Sequence, residues 1–435
     1  MMWKHPWGFK EGSTIACGLL ATGLLLQAAA LPIRWSLTAY PANVALLAAV
    51  LLAVAVMSLL RKKVYLFAWL GGHVSAICSI AACVAVTIVL GLFAQSTNPN
   101  DDLGMMHHLL SSWPFVLCYA WLVVSLALTT LRVTFTKPMP WLRKSAFFLN
   151  HAGLLVAILC ATLGNADLQR LKLTAGLEDL GYGPQAIAHN ELTDSAQEMD
   201  FAIQLRKFTI DEYAPKISVI DSLGRMQPEG NAKTLEISGK GAYGEIAGWI
   251  LKVDRTVDAA AKMQVPLEND STKFATKYVA MQLPREVALR EGGAYAAHVI
   301  AHNPATGEDR EGWVSCGSFM PFSFSVLPLD GNLSVAMPDR EPKRYASSIT
   351  VYLREDDHAK VWADTVVEVN KPVAIPGGWK IYQLSYEEEL RHASRYSVFE
   401  LVRDPWLPAV YVGIYMMLLG AVCLMLLPKN TKSPQ

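Results

Sequence analysis

The chain has 435 residues, of which 52% are hydrophobic and only 17% are charged, and these proportions exclude an ordinary soluble globular protein. Its 38 basic residues equal its 38 acidic residues in number, so a net charge of zero offers nothing to attract a nucleic acid. The hydrophobic residues occur in blocks, a pattern typical of a protein embedded in the lipid bilayer.

Six of these blocks run for about 18 residues or more without Lys, Arg, Asp or Glu. A helix needs roughly 20 apolar residues to cross the hydrocarbon core, where the backbone must satisfy its own hydrogen bonds. We therefore predict six transmembrane helices, at 13–31, 43–60, 64–94, 113–131, 146–164 and 406–427. Residues 1–165 form a membrane region with five of these helices, and residues 428–435 form a short tail.

The basic residues between the predicted spans are unequally distributed. The short loops of one set of connections, 32–42 and 95–112, carry only Arg34, whereas the other set carries eleven Lys and Arg residues. These eleven are Lys4, Lys10, Arg61, Lys62, Lys63, Arg132, Lys137, Arg143, Lys144, Lys429 and Lys432. Because basic loops stay in the cytoplasm, we predict cytoplasmic termini, a location in the cytoplasmic (inner) membrane, and a periplasmic or other extracytoplasmic domain over 166–405.

Between 166 and 405 the hydrophobic pattern changes towards a period of two, which is typical of strands. The clearest alternation lies at 201–210, 346–353 and 361–369. Turn-forming residues separate such runs, at 221–224, 229–231, 303–307, 330–332 and 376–378. The sequence thus predicts a multi-pass α-helical membrane protein with a large β-rich extracytoplasmic domain, built as a sandwich or an open barrel.

The predicted outer domain lacks the motifs of common hydrolases and nucleotide enzymes, including GxSxG, Walker A and HExxH. His298 and His302 have the spacing of a helical metal-binding pair but lie in a strand-like run, so we interpret them as ordinary sheet residues. Cys316 is the only cysteine outside the predicted spans, and its preferred interpretation is a small buried residue rather than a reactive thiol. These features favour binding or scaffolding over catalysis.

Two histidines lie within predicted spans, His73 in the third and His151 near the start of the fifth. Both helices are predicted to begin at the cytoplasmic side, which places both imidazoles in the inner half of the bilayer. Each could bond across helices to a residue such as Ser75 or Asn150, or each could ligate a metal or haem iron. His107 and His108 lie on an outer loop predicted to be a short interfacial helix, where they either act as ligands or, in the preferred interpretation, only supply interfacial polarity.

Several segments, taken together, resemble the ResB family, also called CcsB, of the system II cytochrome c biogenesis machinery. The segments are GLFAQ at 91–95, SSWPFVL at 111–117, FLNHAGLL at 148–155, LKLTAGLE at 171–178, FTIDEYAP at 208–215, ISVID at 217–221, VNKPV at 369–373, GWKIYQ at 378–383, and Asp404, Pro405, Gly413 and Gly420 before and within the last span. The resemblance extends over about 64–427 and preserves the family order of spans, outer domain and final span.

The resemblance implies a function in cytochrome c maturation. Proteins of this family act with a ResC (CcsA) subunit to carry haem b across the membrane and to support its attachment to CxxCH motifs of apocytochrome c. A thioredoxin-like thiol reductant resembling ResA is also expected. The chain would be one subunit of a haem lyase (synthase) complex without a complete active site of its own.

The resemblance also implies which residues contact haem. His73 is the first candidate for an axial ligand, accompanied by Gly72 and Trp69, and His151 is the second. There are departures from the family pattern. Two additional spans precede the usual core, Ala94 stands where the family has proline before Gln95, and the Trp-rich motif of the partner is absent, so the partner must be a separate chain.

Two alternatives remain open at the level of sequence. In the first, His73 and His151 hold a haem between facing helices of a b-type cytochrome that exchanges electrons with quinone. In the second, the chain is an assembly adaptor that binds no haem.

Overall fold

The structure, a computed structural model, describes most of the chain. The described residues are 3–29, 33–96, 104–136, 139–191, 193–238, 242–266, 276–284, 287, 293–316, 326–355, 358–388, 390 and 394–427. They divide into a helical unit, assigned to 1–169 and 403–435, and a sheet-rich unit, assigned to 170–402.

The helical unit has eight helices within the described residues. They are α1 Phe9–Ala29, α2 Ala42–Leu60, α3 Tyr65–Leu70, α4 His73–Leu92, α5 Gly104–His107, α6 Trp113–Thr136, α7 Trp141–Gly164 and α8 Leu407–Leu426. All except the short α3 and α5 are long and apolar enough to cross a membrane. The prediction of six long apolar helices is therefore confirmed.

The segment predicted as one helix over 64–94 is interrupted in the structure. Gly71 and Gly72 separate α3 from α4, and the φ/ψ values of Gly72, −101° and 161°, are those of extended backbone. Glycine costs about 1 kcal/mol relative to alanine in a helix, so two in succession favour an interruption. The freed carbonyl oxygen of Gly71 accepts a hydrogen bond from Nη1 of Arg132 at 3.2 Å. His73 consequently begins a helix instead of lying within one.

Helix α6 packs against both α4 and α7. Towards α4, the indole N–H of Trp121 donates to Oγ of Ser75 at 3.0 Å. Towards α7, the hydroxyl of Tyr119 donates to the carbonyl oxygen of Ile158, also at 3.0 Å. Lipid offers these polar groups no alternative hydrogen-bond partner, so such bonds hold α4 and α7 against α6.

Helices α7 and α8 approach each other through small residues. A Cβ atom on Gly153 would come within 2.4 Å of the backbone nitrogen of Met417, and one on Gly420 within 2.3 Å of the backbone nitrogen of Asn150. The side-chain amide of Asn150 donates to the carbonyl oxygen of Met417 at 3.0 Å. The two backbones can be this close only because glycine stands at these positions.

Asp167 ties together the ends of three long helices. Its carboxylate accepts hydrogen bonds of 2.7 Å from the backbone N–H of Tyr40, the side-chain amide of Asn43 and the indole N–H of Trp406. These donors lie at the beginnings of α2 and α8, and Asp167 follows α7. One carboxylate therefore holds these ends in register.

Seventeen strands lie between Gln169 and Arg403 in the described part of the chain, and nearly all of their residues belong to the sheet-rich unit. They are β1 Gln169–Gly176, β2 Gln185–Asn190, β3 Ser195–Glu212, β4 Lys216–Ile220, β5 Thr234–Glu236, β6 Tyr243–Ile246, β7 Trp249–Pro266, β8 Thr276–Gln282, β9 Ala294–Asn303, β10 Glu308–Ser315, β11 Leu327–Pro328, β12 Ser334–Ala336, β13 Pro342–Glu355, β14 His358–Glu368, β15 Val373–Ala374, β16 Trp379–Tyr386 and β17 Tyr396–Arg403. The strands predicted from alternation fall in β3, β13 and β14, and the β-rich character of this unit is confirmed.

The largest sheet has eight strands in the order β14-β13-β3-β2-β1-β17-β16-β15. Strand β14 also contacts β15 and β16, so the sheet curls until its two edges meet. Its enclosed face carries fully buried side chains such as Leu173, Ile203 and Phe399. This sheet is therefore an open barrel with its own core.

Two further sheets share a second core. One has the order β10-β9-β7-β6 with β8 added on β7, and the other has the order β11-β12-β4-β5. Trp249 and Leu251 of the first sheet are buried with Val219 and Val335 of the second. The sequence predicted a sandwich or an open barrel, and this unit contains both arrangements.

Glu387 and Arg395 form an ion pair between β16 and β17. The carboxylate accepts hydrogen bonds from the backbone N–H of Arg395 at 3.0 Å and from its guanidinium. The Glu387 side chain is 10% exposed, whereas that of Arg395 is 56% exposed. The hydrogen bond from the Arg395 side chain lowers the pKa of Glu387 below its ordinary value of 4.5, against the opposing effect of burial.

We expect Gly153→Ala to reduce the thermal stability of the detergent-purified protein. The added methyl group meets backbone atoms of α8, so the helices must separate, and overpacking of this kind costs about 1–3 kcal/mol. Gly18→Ala in α1 is the matched control, because nothing lies within 4 Å of its Cβ position. Equal melting temperatures for the two variants would contradict the close packing of α7 and α8.

We expect Glu387→Gln to lower the stability of the sheet-rich unit at pH 7 by about 1–2 kcal/mol, the range of a charged hydrogen bond partly shared with solvent. Because the folded-state pKa is depressed, the stabilisation by Glu387 is present above its unfolded value and disappears as the pH falls through the folded value. The difference between variant and wild type should therefore shrink below about pH 4.5.

Chemical denaturation followed by tryptophan fluorescence between pH 3 and pH 8 measures this difference. Glu191→Gln removes a carboxylate from an exposed pair with Lys172 and serves as the control, for which a change of less than about 0.5 kcal/mol is expected. A constant deficit for Glu387→Gln across the whole pH range would be inconsistent with ionic stabilisation.

Candidate functional site

His151 is half-buried on α7, and its two ring nitrogens have different surroundings. Nδ1 lies 3.0 Å from the carbonyl oxygen of Phe147, one helical turn earlier. Since a carbonyl oxygen can only accept, Nδ1 carries the proton in the neutral ring and Nε2 has a free lone pair. The ring also stacks on Phe147, with centroids 3.9 Å apart. This is a restrained imidazole with the nitrogen that binds metals left available.

His73 is the first residue of α4, and its side chain is exposed within the helical unit. Within the described part of the chain, no hydrogen bond or ring contact joins the side chain of His73 to His151 or to any other residue. The structure therefore presents His73 on an outer face of the helical unit, where lipid or another protein chain can reach it.

Both histidines nevertheless lie at a similar position along the length of helix α6. A Cβ atom on Gly71, two residues before His73, would lie 3.3 Å from Cβ of Leu128. Leu155 of α7 packs against the hydrophobic cluster that contains Leu128, and His151 lies one turn from Leu155 on the same side of the helix. The two candidates thus flank the same part of α6 without touching each other.

Trp69 and Gly72, the other residues predicted to contact haem, have different environments. Trp69 is 5% exposed and stacks on Trp121 within the bundle core, with ring centroids 6.1 Å apart. Its indole N–H is buried and has no hydrogen-bond partner among the described residues. Gly72 is half-buried at the helix break, where a Cβ atom would come within 2.9 Å of the carbonyl oxygen of Trp69. Trp69 therefore packs inside the bundle just before the helix break, and the exposed His73 follows the break.

The loop histidines have local structural partners. Nδ1 of His107 donates to the carbonyl oxygen of Ala94 at 2.7 Å. Gln95, which is part of the segment resembling the family, donates to the carbonyl oxygen of Met106 at 2.9 Å and accepts from the backbone N–H of Leu109 at 3.1 Å. Gln95 thus attaches α5 and the following turn to the end of α4.

His298 and His302 both lie on β9, as the sequence predicted. Residues four apart in a strand are separated by about 13 Å, so these two side chains cannot share a metal ion. Instead each has its own carboxylate, with His298 Nδ1 at 2.7 Å from Asp254 and His302 Nδ1 at 2.8 Å from Asp309. Within the described residues, no group of three or more His, Cys, Asp or Glu side chains could hold a metal ion.

The pairing of His298 with Asp254 depends on a bulge in β7, between Val253 and Arg255. The extra residue lets the carboxylate reach the side of β9 that carries His298. Burial raises the pKa of Asp254, but the hydrogen bond and charge of His298, together with the charge of Arg255, lower it further, so it lies below its ordinary value. No local sequence signal could have paired residues 44 positions apart.

Cys316 is half-buried and packs against the core shared by the two smaller sheets. Its Sγ lies 3.7 Å from the carbonyl oxygen of Tyr295. This environment is that of a small core residue, as the sequence suggested.

A multi-pass arrangement of long apolar helices, with a sheet-rich unit inserted before the last of them, defines the general class of this protein. A sequence model of the ResB-like family matches residues 141–394, which is more than half of the chain. The chain therefore belongs to the ResB-like family. A search of curated proteins finds no match.

The family match begins with α7 and ends near the start of β17. His151 lies inside the matched range, whereas His73, Gly72 and Trp69 lie outside it. Of the residues proposed from the resemblance as haem contacts, His151 is therefore the one that lies inside the matched range.

Proposed function

We propose that this protein is a cytochrome c biogenesis subunit that acts with a separate ResC-like membrane protein. Together they carry haem b across the membrane and support its attachment to the CxxCH motif of an apocytochrome c. Membership of the ResB-like family is the observation that carries this proposal. The helical unit would receive haem, and the sheet-rich unit would hold the apocytochrome.

The geometry of His151 supports a role in binding the transported haem. The hydrogen bond from Nδ1 to Phe147 fixes the tautomer and leaves Nε2 unprotonated, which is the form that coordinates iron. The stacked Phe147 ring limits rotation of the imidazole. An axial imidazole held in this way would restrain the orientation of the haem and influence its redox state.

The separation of the two histidines supports a shared site with a partner. His73 faces outward, and no described contact joins it to His151, although both flank the same part of α6. A single histidine supplies one axial ligand, so a second helix must provide the other. A histidine of the ResC-like subunit would complete the coordination.

The sheet-rich unit offers no thiol chemistry of its own. The sequence contains no CxxC, and Cys316 is half-buried against the core that the two smaller sheets share. The thiols of the apocytochrome must be reduced before they can form thioethers, so a thioredoxin-like protein resembling ResA would supply the reducing equivalents. The role of this unit would be to bind and orient the client.

We expect His151→Ala to reduce the haem that co-purifies with the complex of this chain and its partner by about tenfold, the lower range seen when a ligand shell is disturbed. If His73 of α4 supplies an axial ligand, His73→Ala should reduce the co-purified haem to a similar extent. The absorption spectrum of the purified complex measures the bound haem, and haem covalently attached to a co-expressed CxxCH reporter measures maturation. Added imidazole should restore haem to a variant that has lost its axial ligand.

His302→Ala is the matched control, because it removes an exposed imidazole that is paired with Asp309 in the sheet-rich unit. Unchanged haem and unchanged maturation in the His73→Ala, His151→Ala double variant would exclude the haem-carrying role and favour an assembly adaptor. Stoichiometric haem in the chain without its partner, together with rapid reduction by quinol, would favour the b-type cytochrome.

A further inference from the structure

A cavity of about 260 Å³ lies between the end of α2, helix α3 and the second half of α6. Three cationic residues, Arg61, Lys62 and Arg132, line it together with apolar side chains that include Phe67 and Leu128. It lies at the end of the bundle that the distribution of Lys and Arg predicts to face the cytoplasm.

The positive charge around this cavity is not compensated within the protein. No Asp or Glu lines it, and in the part of the chain that the structure describes, the side chains of Arg61 and Lys62 have neither a hydrogen bond nor an ion pair. Arg132 donates only to backbone carbonyl oxygens, those of Gly71 and Ala68. Three neighbouring cations repel one another, and a bound anion would relieve this repulsion.

The cavity adjoins the helix break that precedes His73. Gly71 lines it, and a Cβ atom on Gly72 would lie 3.6 Å from Nη1 of Arg132. An imidazole that could ligate a metal therefore follows directly after a pocket that combines positive charge with an apolar wall. A ligand with an apolar body, an anionic edge and a metal centre matches all three features.

We propose that Arg61, Lys62 and Arg132 bind the two carboxylate groups of the haem as it is taken up from the cytoplasmic side, an inference that rests on the proposed function. Paired carboxylates satisfy more than one cation at once, and Arg binds such groups through two parallel hydrogen bonds. The volume lies below the usual range for a pocket that encloses a whole small molecule. The cavity thus receives the carboxylate edge of the haem, and the macrocycle extends outside it.

The test uses the purified full-length chain with its partner and two probes, ferric protoporphyrin IX and its dimethyl ester, in which the carboxylates are blocked. We expect the wild-type protein to bind the diacid about tenfold more tightly than the ester, the value of one charge-assisted hydrogen bond. In the Arg61→Gln, Lys62→Gln double variant, the diacid should bind about as weakly as the ester, and ester binding should not change. Arg132 is left intact because it also bonds the broken helix.

Lys63→Gln is the matched control, because it removes a cation of the same connection that does not line the cavity, and it should preserve the preference for the diacid. Equal binding of diacid and ester by the wild type, or a preference that survives in the double variant, would overturn the inference while leaving the proposed function standing. Failure of the wild type to bind either probe would reject both.

An anionic lipid is the other source of a group that the cavity could bind. Native mass spectrometry of the same samples counts the phospholipids that remain attached. If the double variant loses a bound anionic lipid but keeps its preference for the diacid, the cavity is a lipid headgroup site and the inference is wrong.

Discussion

A polar side chain in the apolar interior of a membrane is stabilised by a partner within the protein, and α6 supplies several such partners to its neighbours. Ser125 Oγ donates to the carbonyl oxygen of Leu70 at 2.9 Å, beyond the point where Trp121 bonds Ser75. On its other side, Tyr119 bonds the backbone of α7. Because these bonds hold α3, α4 and α7 along one helix, the two candidate histidines occupy the same level.

The break between α3 and α4 connects packing with the proposed chemistry. Two glycines end α3, the carbonyl oxygen of Gly71 bonds Arg132, and α4 then begins with an exposed His73. In a continuous helix, the carbonyl oxygen of Gly71 would accept a hydrogen bond from a backbone N–H of the same helix. The guanidinium of Arg132 would then not be needed to bond it. Arg132 therefore stabilises the break and also contributes charge to the adjoining cavity.

The two units differ in what their buried polar groups do. In the sheet-rich unit, carboxylates pair with cations or histidines across strands, as with Glu387 and Arg395 or Asp254 and His298, and these pairs are explained by stability alone. In the described part of the helical unit, Nε2 of His151 has no hydrogen-bond partner although Nδ1 is bonded to Phe147. This difference is why the candidate site lies among the helices.

Much of the architecture could be predicted, because long apolar runs and strand alternation are local properties of the chain. The break at Gly71 and Gly72 was not predicted, since glycines are tolerated in membrane helices, and the carbonyl oxygens at the break are bonded by Ser125 and Arg132 of a separate helix. The partners of His298 and His302 were also missed. The sequence placed the two histidines in a strand but could not indicate their partners, because a bulge in β7 brings Asp254 to His298 and a hairpin brings Asp309 to His302.

The sequence by itself determined the six apolar helices, the β-rich character of the large insertion and the resemblance to the ResB-like family, because each depends on hydrophobic pattern and short motifs. Only the tertiary structure decided which nitrogen of His151 is free, where His73 is exposed and which cations surround one cavity. Those properties depend on atoms contributed by separate helices. Their distances arise from packing along α6 and cannot be read from positions in the chain.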